Sequence, residues 1–292
     1  MKEKLKEIYY GISEIGASLT SMVSILLFSS LKSARKVSKL KEDGLVDVHI
    51  LANGPSLKSM LEEHLDFLSC HDTLAVNHFA SNPTFSVIKP KYYVLLDPAY
   101  FGGYCPKELQ DRIPVLMANL SKVSWPMTLY VPYTKTVVRD AESRLNNPNI
   151  KVVPFNGTRV LGFMWFRNWA YKYNLGIPSS KNVLLPSILL MLNHGYKKVY
   201  LYGAEFSWTK TYWVNPDDGK MYTDDVHFYD KTCIPLKKGE FKFNLRCLAE
   251  ALDATDIYEE YALYLKSKII NRTPGSFIDS FEYEPTHLVK YE

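Results

Sequence analysis

From about Asp47 onward, short apolar runs alternate with stretches of helical spacing. The apolar runs predict strands at Val48–Ala52, Thr73–Val76, Tyr92–Leu96, Thr128–Tyr130, Val152–Pro154, Lys198–Tyr202 and Lys268–Asn271. Helical spacing predicts helices over 57–68, 105–111, 136–145, 163–173, 181–194 and 243–267. Strands separated by helices imply an α/β fold, a Rossmann-like and mostly parallel sheet covered on both faces. Residues 207–239 break this rhythm. They are rich in Trp, Tyr, Asp, Lys and Pro and show little periodicity, which predicts an irregular lid on a domain spanning 46–292.

Ahead of that domain lies a different pattern. Ile15 to Leu31 carries no charge, and Lys32, Arg35, Lys36, Lys39 and Lys41 follow at once. The apolar run sits at the short limit of a membrane span and is diluted by serines. It predicts, over 1–45, a helix lying on or dipping into a membrane surface with its basic cluster toward anionic headgroups. The alternatives are a helix packed on the domain or against a second copy, which keeps a homo-oligomer open. The expected location is the cytoplasm, peripheral at the inner face of the plasma membrane.

Composition narrows the function classes. At 292 residues, 47% apolar and 23% charged, the chain has ample core for one large α/β domain. A net charge of +4 is too mild to serve as an electrostatic footprint for nucleic acid. Cys70, Cys105, Cys233 and Cys247 are widely spaced and form no zinc pattern, so they read as reduced structural thiols.

In parallel sheets ligands bind beyond the carboxyl ends of the strands. The polar residues that end the apolar runs are Asn53, Asn77, Asp97 and the pair Gly203 and Glu205. Asn53-Gly54-Pro55-Ser56-Leu57 reads as a strand-to-helix turn, with Ser56, or Ser59 with Glu62, as candidate helix caps. Such a turn is either a cradle of backbone N–H groups for phosphate or an ordinary βα loop. It matches neither a P-loop nor the three-glycine dinucleotide fingerprint.

Among seven histidines, none pairs at metal-ligand spacing. His227 stands out because acids and aromatics flank it in the lid, where an imidazole can take a proton from a sugar hydroxyl. A solvent-exposed loop histidine is the alternative. Trp208, Tyr212, Trp213, Tyr222 and Tyr229 offer packing for the lid, or phenolic donors for a leaving phosphate. Asp217-Asp218-Gly219 reads as a hairpin turn. No strand-borne Asp-x-Asp is present to hold a divalent ion.

The Asn53-Gly54-Pro55-Ser56-Leu57 turn, the Asn77 and Asp97-Pro98 strand ends, the block from His194-Gly195-Tyr196 to Gly203-Ala204-Glu205-Phe206, and Thr273-Pro274-Gly275-Ser276 together resemble the Campylobacter-type bacterial sialyltransferases, glycosyltransferase family 42. The similarity runs over roughly residues 46–280. A related turn occurs in flagellin-modifying motility accessory proteins and in archaeal pterin pyrophosphokinases. The resemblance implies a GT-A-like variant fold and a metal-independent, inverting transfer of a sialic or related ulosonic acid from a CMP donor to a glycan hydroxyl, with no cofactor. It implies Asn53, Asn77 and Gly203 as nucleotide contacts and His227 as the general base. Tyr212 would be one of two tyrosines on the departing phosphate, and the other position holds Ser207. Gly54, Ser56, Asp97, Asn182 and Glu205 complete the expected donor site. Asp97, Glu205 and Asn182-Val183-Leu184 depart from the family's residues, which leaves room for another sugar or nucleotide. Two further readings stand beside this one. The first is a pyrophosphokinase-like enzyme using Mg²⁺ on Asp97, Glu205, Asp224 and Asp225. The second is a non-catalytic, membrane-associated glycan-assembly protein.

Overall fold

The computed structural model describes residues 2–103, 105, 110–227 and 230–286, with the backbone alone for 2–8, 225–227 and 230–232. Eleven strands are described: β1 Asp47–Leu51, β2 Thr73–Val76, β3 Tyr92–Val94, β4 Met127–Pro132, β5 Ile150–Phe155, β6 Lys198–Tyr202, β7 Tyr212–Val214, β8 Met221–His227, β9 Asp230–Pro235, β10 Lys268–Asn271 and β11 Glu282–Tyr283. The helices are α1 Lys2–Phe28, α2 Leu31–Ser38, α3 Leu57–Glu63, α4 Leu65–Ser69, α5 Phe85–Ile88, α6 Arg112–Ser121, α7 Lys135–Arg144, α8 Met164–Lys172, α9 Leu184–His194 and α10 Glu240–Tyr264. All seven expected strands form. The helix expected over 57–68 is broken at His64, and the one over 105–111 falls largely outside the described residues.

Eight strands make one sheet in the order β11-β10-β6-β1-β2-β3-β4-β5, and every described pairing in it is parallel. Successive residues of the interior strands enter opposite cores, which is why those strands read as continuous apolar runs. Val48 and Ile50 of β1 join Leu74, Val94, Val153 and Leu201 under α2, α8, α9 and α10. Leu51 joins Ala75, Tyr93, Leu129 and Tyr202 under α3 to α7. The chain leaves β1 in one direction through β2 to β5 and returns on its other side with β6 and β10. The switch point is therefore the seam between β1 and β6.

Residues 207–239 are not irregular, contrary to expectation. They form a short 3-10 turn at Trp208–Thr211 and a three-stranded antiparallel sheet, β7-β8-β9. The β7–β8 turn closes at Asp217-Asp218-Gly219 as expected: Gly219 takes φ +63 and donates to the Asn215 carbonyl at 2.9 Å. The N-terminal 45 residues also divide. Ala34 and Val37 of α2 are buried in the core against the sheet, while α1 meets that core through the partly buried Ile25 and is otherwise largely exposed.

Candidate functional site

A cleft of about 530 Å³ opens at the β1/β6 switch point and is roofed by the antiparallel sheet. Its floor comes from the ends of β1, β2 and β6: Asn53, Gly54, Asn77, Gly203 and Glu205. Tyr212, Thr223 and Ile234 line the opposite wall. These three are cross-strand neighbours, Tyr212 facing Thr223 and Thr223 facing Ile234, so one row of the small sheet looks onto the cleft. Lys181 and Asn182, just before α9, and Phe243, Asn244 and Cys247 of α10 close the remaining side.

The floor is tightly determined. Gly54 N–H donates to the Gly203 carbonyl at 2.9 Å, and Ser56 N–H donates to Glu205 Oε1 at 2.7 Å. A Cβ on Gly54 would stand 1.5 Å from Glu205 Oε2 and 2.6 Å from the Gly203 oxygen, so only glycine fits between them. Gly203 itself turns with φ +68. This corrects the picture of the turn as an open phosphate cradle. Two of its N–H groups are already bound within the protein, one by a carboxylate that repels anions. Ser56 makes no side-chain cap, and Ser59 Oγ donates to the Ser56 carbonyl at 3.0 Å instead. The loop 271–277 holds the β6 end from behind. Thr273 Oγ1 accepts from Ala204 N–H at 3.0 Å, Ser276 Oγ donates to the Ala204 carbonyl at 2.7 Å, and Phe277 N–H donates to the Glu205 carbonyl at 2.8 Å.

Polar atoms are left over on this floor. Among the described residues, Asn53 Oδ1, Asn77 Oδ1 and Glu205 Oε2 are buried without a hydrogen-bond partner, as is Ser56 Oγ, which is not part of the lining. Native proteins leave few such atoms, and each unmet group costs about 1–3 kcal/mol. Strain gathers in the same place: Asn77 (φ +48) and Phe206 (φ +52) adopt the left-handed region without being glycine. The Asn77 carbonyl is fixed by the Tyr93 hydroxyl at 2.6 Å.

The other expected site residues fall out as follows. Asn182 lines the cleft and uses Oδ1 to accept from Leu184 N–H at 2.8 Å, starting α9. Tyr212 lines it with its ring edge-on to Phe241, centroids 5.1 Å apart. Ser56 stands behind the floor rather than in its lining. Asp97 is exposed and is not among the lining residues; its carboxylate accepts from Ala99 N–H at 2.8 Å, capping the turn Pro98–Phe101. His227 ends β8, its backbone paired with Asp230, four residues and roughly 13 Å of strand beyond Thr223. Its side chain, like Tyr229, lies outside what is described. Lys181, Phe243, Asn244 and Cys247 had no sequence signal, because nothing in a helical pattern says which of its residues meets a distant strand end. The charged lining is Lys181 against Glu205, Asp224 and Glu240. Among the described residues, no three of His, Cys, Asp and Glu gather as a metal site.

A parallel sheet of this order, covered by helices on both faces and with a cleft at its switch point, is a Rossmann-like α/β fold. The chain is similar in structure to the MAf glycosyltransferase from Magnetospirillum magneticum AMB-1, with a TM-score of 0.51 and 14% identity. The likeness covers 89% of this chain and 38% of that one, so this chain spans well under half of that protein's length. No family model matches the sequence, and no curated protein matches it.

Proposed function

We propose that the chain is a glycosyltransferase that binds the nucleotide of an activated sugar across the β1/β6 seam. The observation that carries the reading is the set of buried, partnerless oxygens of Asn53, Asn77 and Glu205 on one strained floor. They suit the N–H and O–H groups of a base and ribose better than they suit phosphate. The likeness to a glycosyltransferase fold supports the same class.

The finer reading is a metal-independent, inverting transfer from a CMP-linked ulosonic acid to a glycan hydroxyl. The acceptor oxygen bonds to the anomeric carbon as the bond to phosphate breaks, CMP departs, and a base takes the hydroxyl proton. His227 is the proposed base and Tyr212 the donor to the departing phosphate. Most of the rate would come from positioning and from hydrogen bonds to the leaving group. The roof of β7–β9 would keep water from the donor.

Thermal-shift measurements with CMP, UDP, GDP and ATP test the nucleotide, since a ligand that binds only the folded state raises the melting temperature. CMP release from CMP-sialic acid with a lactoside acceptor then tests the reaction. The expected result is stabilisation by CMP and turnover that survives EDTA. An unchanged rate for His227→Ala would remove that residue from the mechanism. The surplus of carboxylates in the lining favours one competing reading, a Mg²⁺-dependent pyrophosphokinase-like enzyme. Stabilisation by ATP or GDP only with Mg²⁺ would replace the first reading with this one.

A further inference from the structure

Helix α1 is amphipathic the wrong way round for a helix on the surface of a water-soluble domain. The side turned toward the protein is mostly small and polar, with Ile25 as its large apolar contact to the core. Ser18 Oγ accepts from Phe163 N–H at 3.0 Å, and Ser21 Oγ, itself buried, accepts from Leu161 N–H at 2.9 Å. Gly162 lies so close that a Cβ there would come 2.2 Å from Ser18 Oγ. Just past the helix, Ser29 Oγ donates to the Leu175 carbonyl, and Ser30 N–H donates to Asn156 Oδ1 at 2.8 Å. The side turned away is apolar: Ile12, Leu19, Val23, Leu26 and Leu27 are all more than half exposed. Over Tyr9–Phe28, Ser21 is the one buried residue. A surface helix in water normally does the reverse.

We infer that this face rests on an anionic lipid bilayer, with α1 lying in the plane of the interface and not crossing it. Three observations choose lipid as the occupant. Helix α8, which starts right after the 161–163 segment bound to α1, exposes aromatic side chains too: Trp165 is 73% exposed beside Met164, Trp169 is exposed one turn on, and Tyr173 is exposed at the C-cap. Tryptophan and tyrosine prefer the headgroup boundary. The exposed side of α2, which follows directly, carries Lys32 and Arg35, with Lys39 exposed at its C-cap; these are complementary to anionic headgroups and mutually repulsive across a two-fold contact. The plane of the helix is set by its anchors. Residues 161–163 bind the middle of α1, so a spanning helix would carry their loop backbone into the hydrocarbon, where unpaired N–H and C=O groups are not tolerated. Because Asn156 directly follows β5, the anchored end of α1 also sits at the carboxyl end of the sheet, the end at which the cleft opens. The inference does not rest on the proposed reaction.

The test is sedimentation of the purified full chain with vesicles of phosphatidylcholine alone and with 30% phosphatidylglycerol, roughly a plasma-membrane level of anionic lipid. Binding to the anionic vesicles, several-fold weaker on neutral ones, is expected, together with release from membranes by alkaline carbonate. Leu26→Glu with Leu27→Glu should weaken binding by roughly a hundredfold, since two buried leucines are lost from the contact. The melting temperature should stay unchanged because both residues are exposed in the free protein. Trp165→Ser should weaken binding several-fold. Failure to bind either vesicle, or a dimer that the Leu26/Leu27 double variant dissociates, would overturn the inference. So would resistance to carbonate extraction with the residues before Tyr9 protected from protease on the far side of the bilayer.

Discussion

The two walls of the cleft are built on opposite principles. On the sheet side, Gly54, Gly203 and Glu205 are fixed by one another, by the 271–277 loop and by two buried strands. On the roof side, Tyr212, Thr223 and Ile234 sit half-buried on a three-stranded sheet whose outer face bears the exposed stack of Trp213 on Tyr222, centroids 5.0 Å apart. The floor stores strain and unmet hydrogen bonds because its surroundings over-determine it. The roof has little burial to resist movement, which suits an element that opens and closes. Substitutions in the interlocked part of the floor, Gly54 with Gly203 and Glu205, should therefore act on folding and binding together, whereas substitutions on the roof should act on turnover alone.

The sharpest attack on that difference is Gly54→Ala. The new methyl would overlap the Glu205 carboxylate and the Gly203 carbonyl, and neither can move without breaking the Ser56 bond or the β1–β6 seam. A loss of about 3 kcal/mol or more is expected, with loss of nucleotide binding. Denaturant unfolding checks the first and thermal shift the second. If the variant folds as well as the parent, the floor is looser than described here.

Acidification probes the scaffold beneath the floor. His49, in β1, is held down to about 3 by burial, with His71 and Arg272 adding to the shift; burial likewise lowers His194 to about 4. Both stay neutral in the folded state while the unfolded chain takes up protons below about 6.5. Stability is then complete above that pH and falls as pH drops from 6.5 toward 4, by about 1.4 kcal/mol per unit for each histidine. Chemical denaturation between pH 7 and 4.5 should show that slope, and His49→Gln should reduce it. A slope that His49→Gln leaves unaltered would mean that other groups carry the acid sensitivity. Since α9 and β1 hold the floor, nucleotide binding should weaken over the same range.

Asn77→Gly separates the two properties that the floor combines. Glycine accepts φ +48 without strain, while the side chain that carries the orphan Oδ1 is removed. Folding stability should change by less than about 1 kcal/mol in either direction, because relief of strain offsets the greater freedom of the unfolded chain. Binding of the stabilising nucleotide should nonetheless fall by about tenfold or more, as expected for a lost buried hydrogen bond. Unchanged affinity would remove Asn77 from the ligand site.

What was readable in the sequence follows the same division. Strands buried on both faces announce themselves as apolar runs, so every interior strand of the main sheet was visible, together with the polar residues at its tips. The roof was not, because a small sheet with one wet face interrupts Tyr212, Met221 and Ile234 with charges and leaves no run to find. The occupied state of the Gly54–Ser56 turn was hidden for a different reason. Its partner, Glu205, lies 149 residues away in the chain from Ser56 and meets it only because β1 and β6 are neighbours. The inverted polarity of α1 was hidden too: Ser18 and Ser21 look like dilution of an apolar run until Leu161 and Phe163 are seen bound to them.

The smallest expected effect on folding belongs to the roof. Tyr212→Phe keeps the ring against Phe241 and removes only a hydroxyl from a half-buried position, so stability should move by less than about 0.5 kcal/mol. If that hydroxyl donates to the departing phosphate, the rate should fall by roughly tenfold to a hundredfold while nucleotide affinity stays within about twofold, the pattern of an interaction made mainly in the transition state. Steady-state kinetics for the parent and this variant, beside CMP binding, check it. A matching loss of affinity would instead make Tyr212 part of the ground-state nucleotide site, and the roof would then belong with the floor as a binding wall.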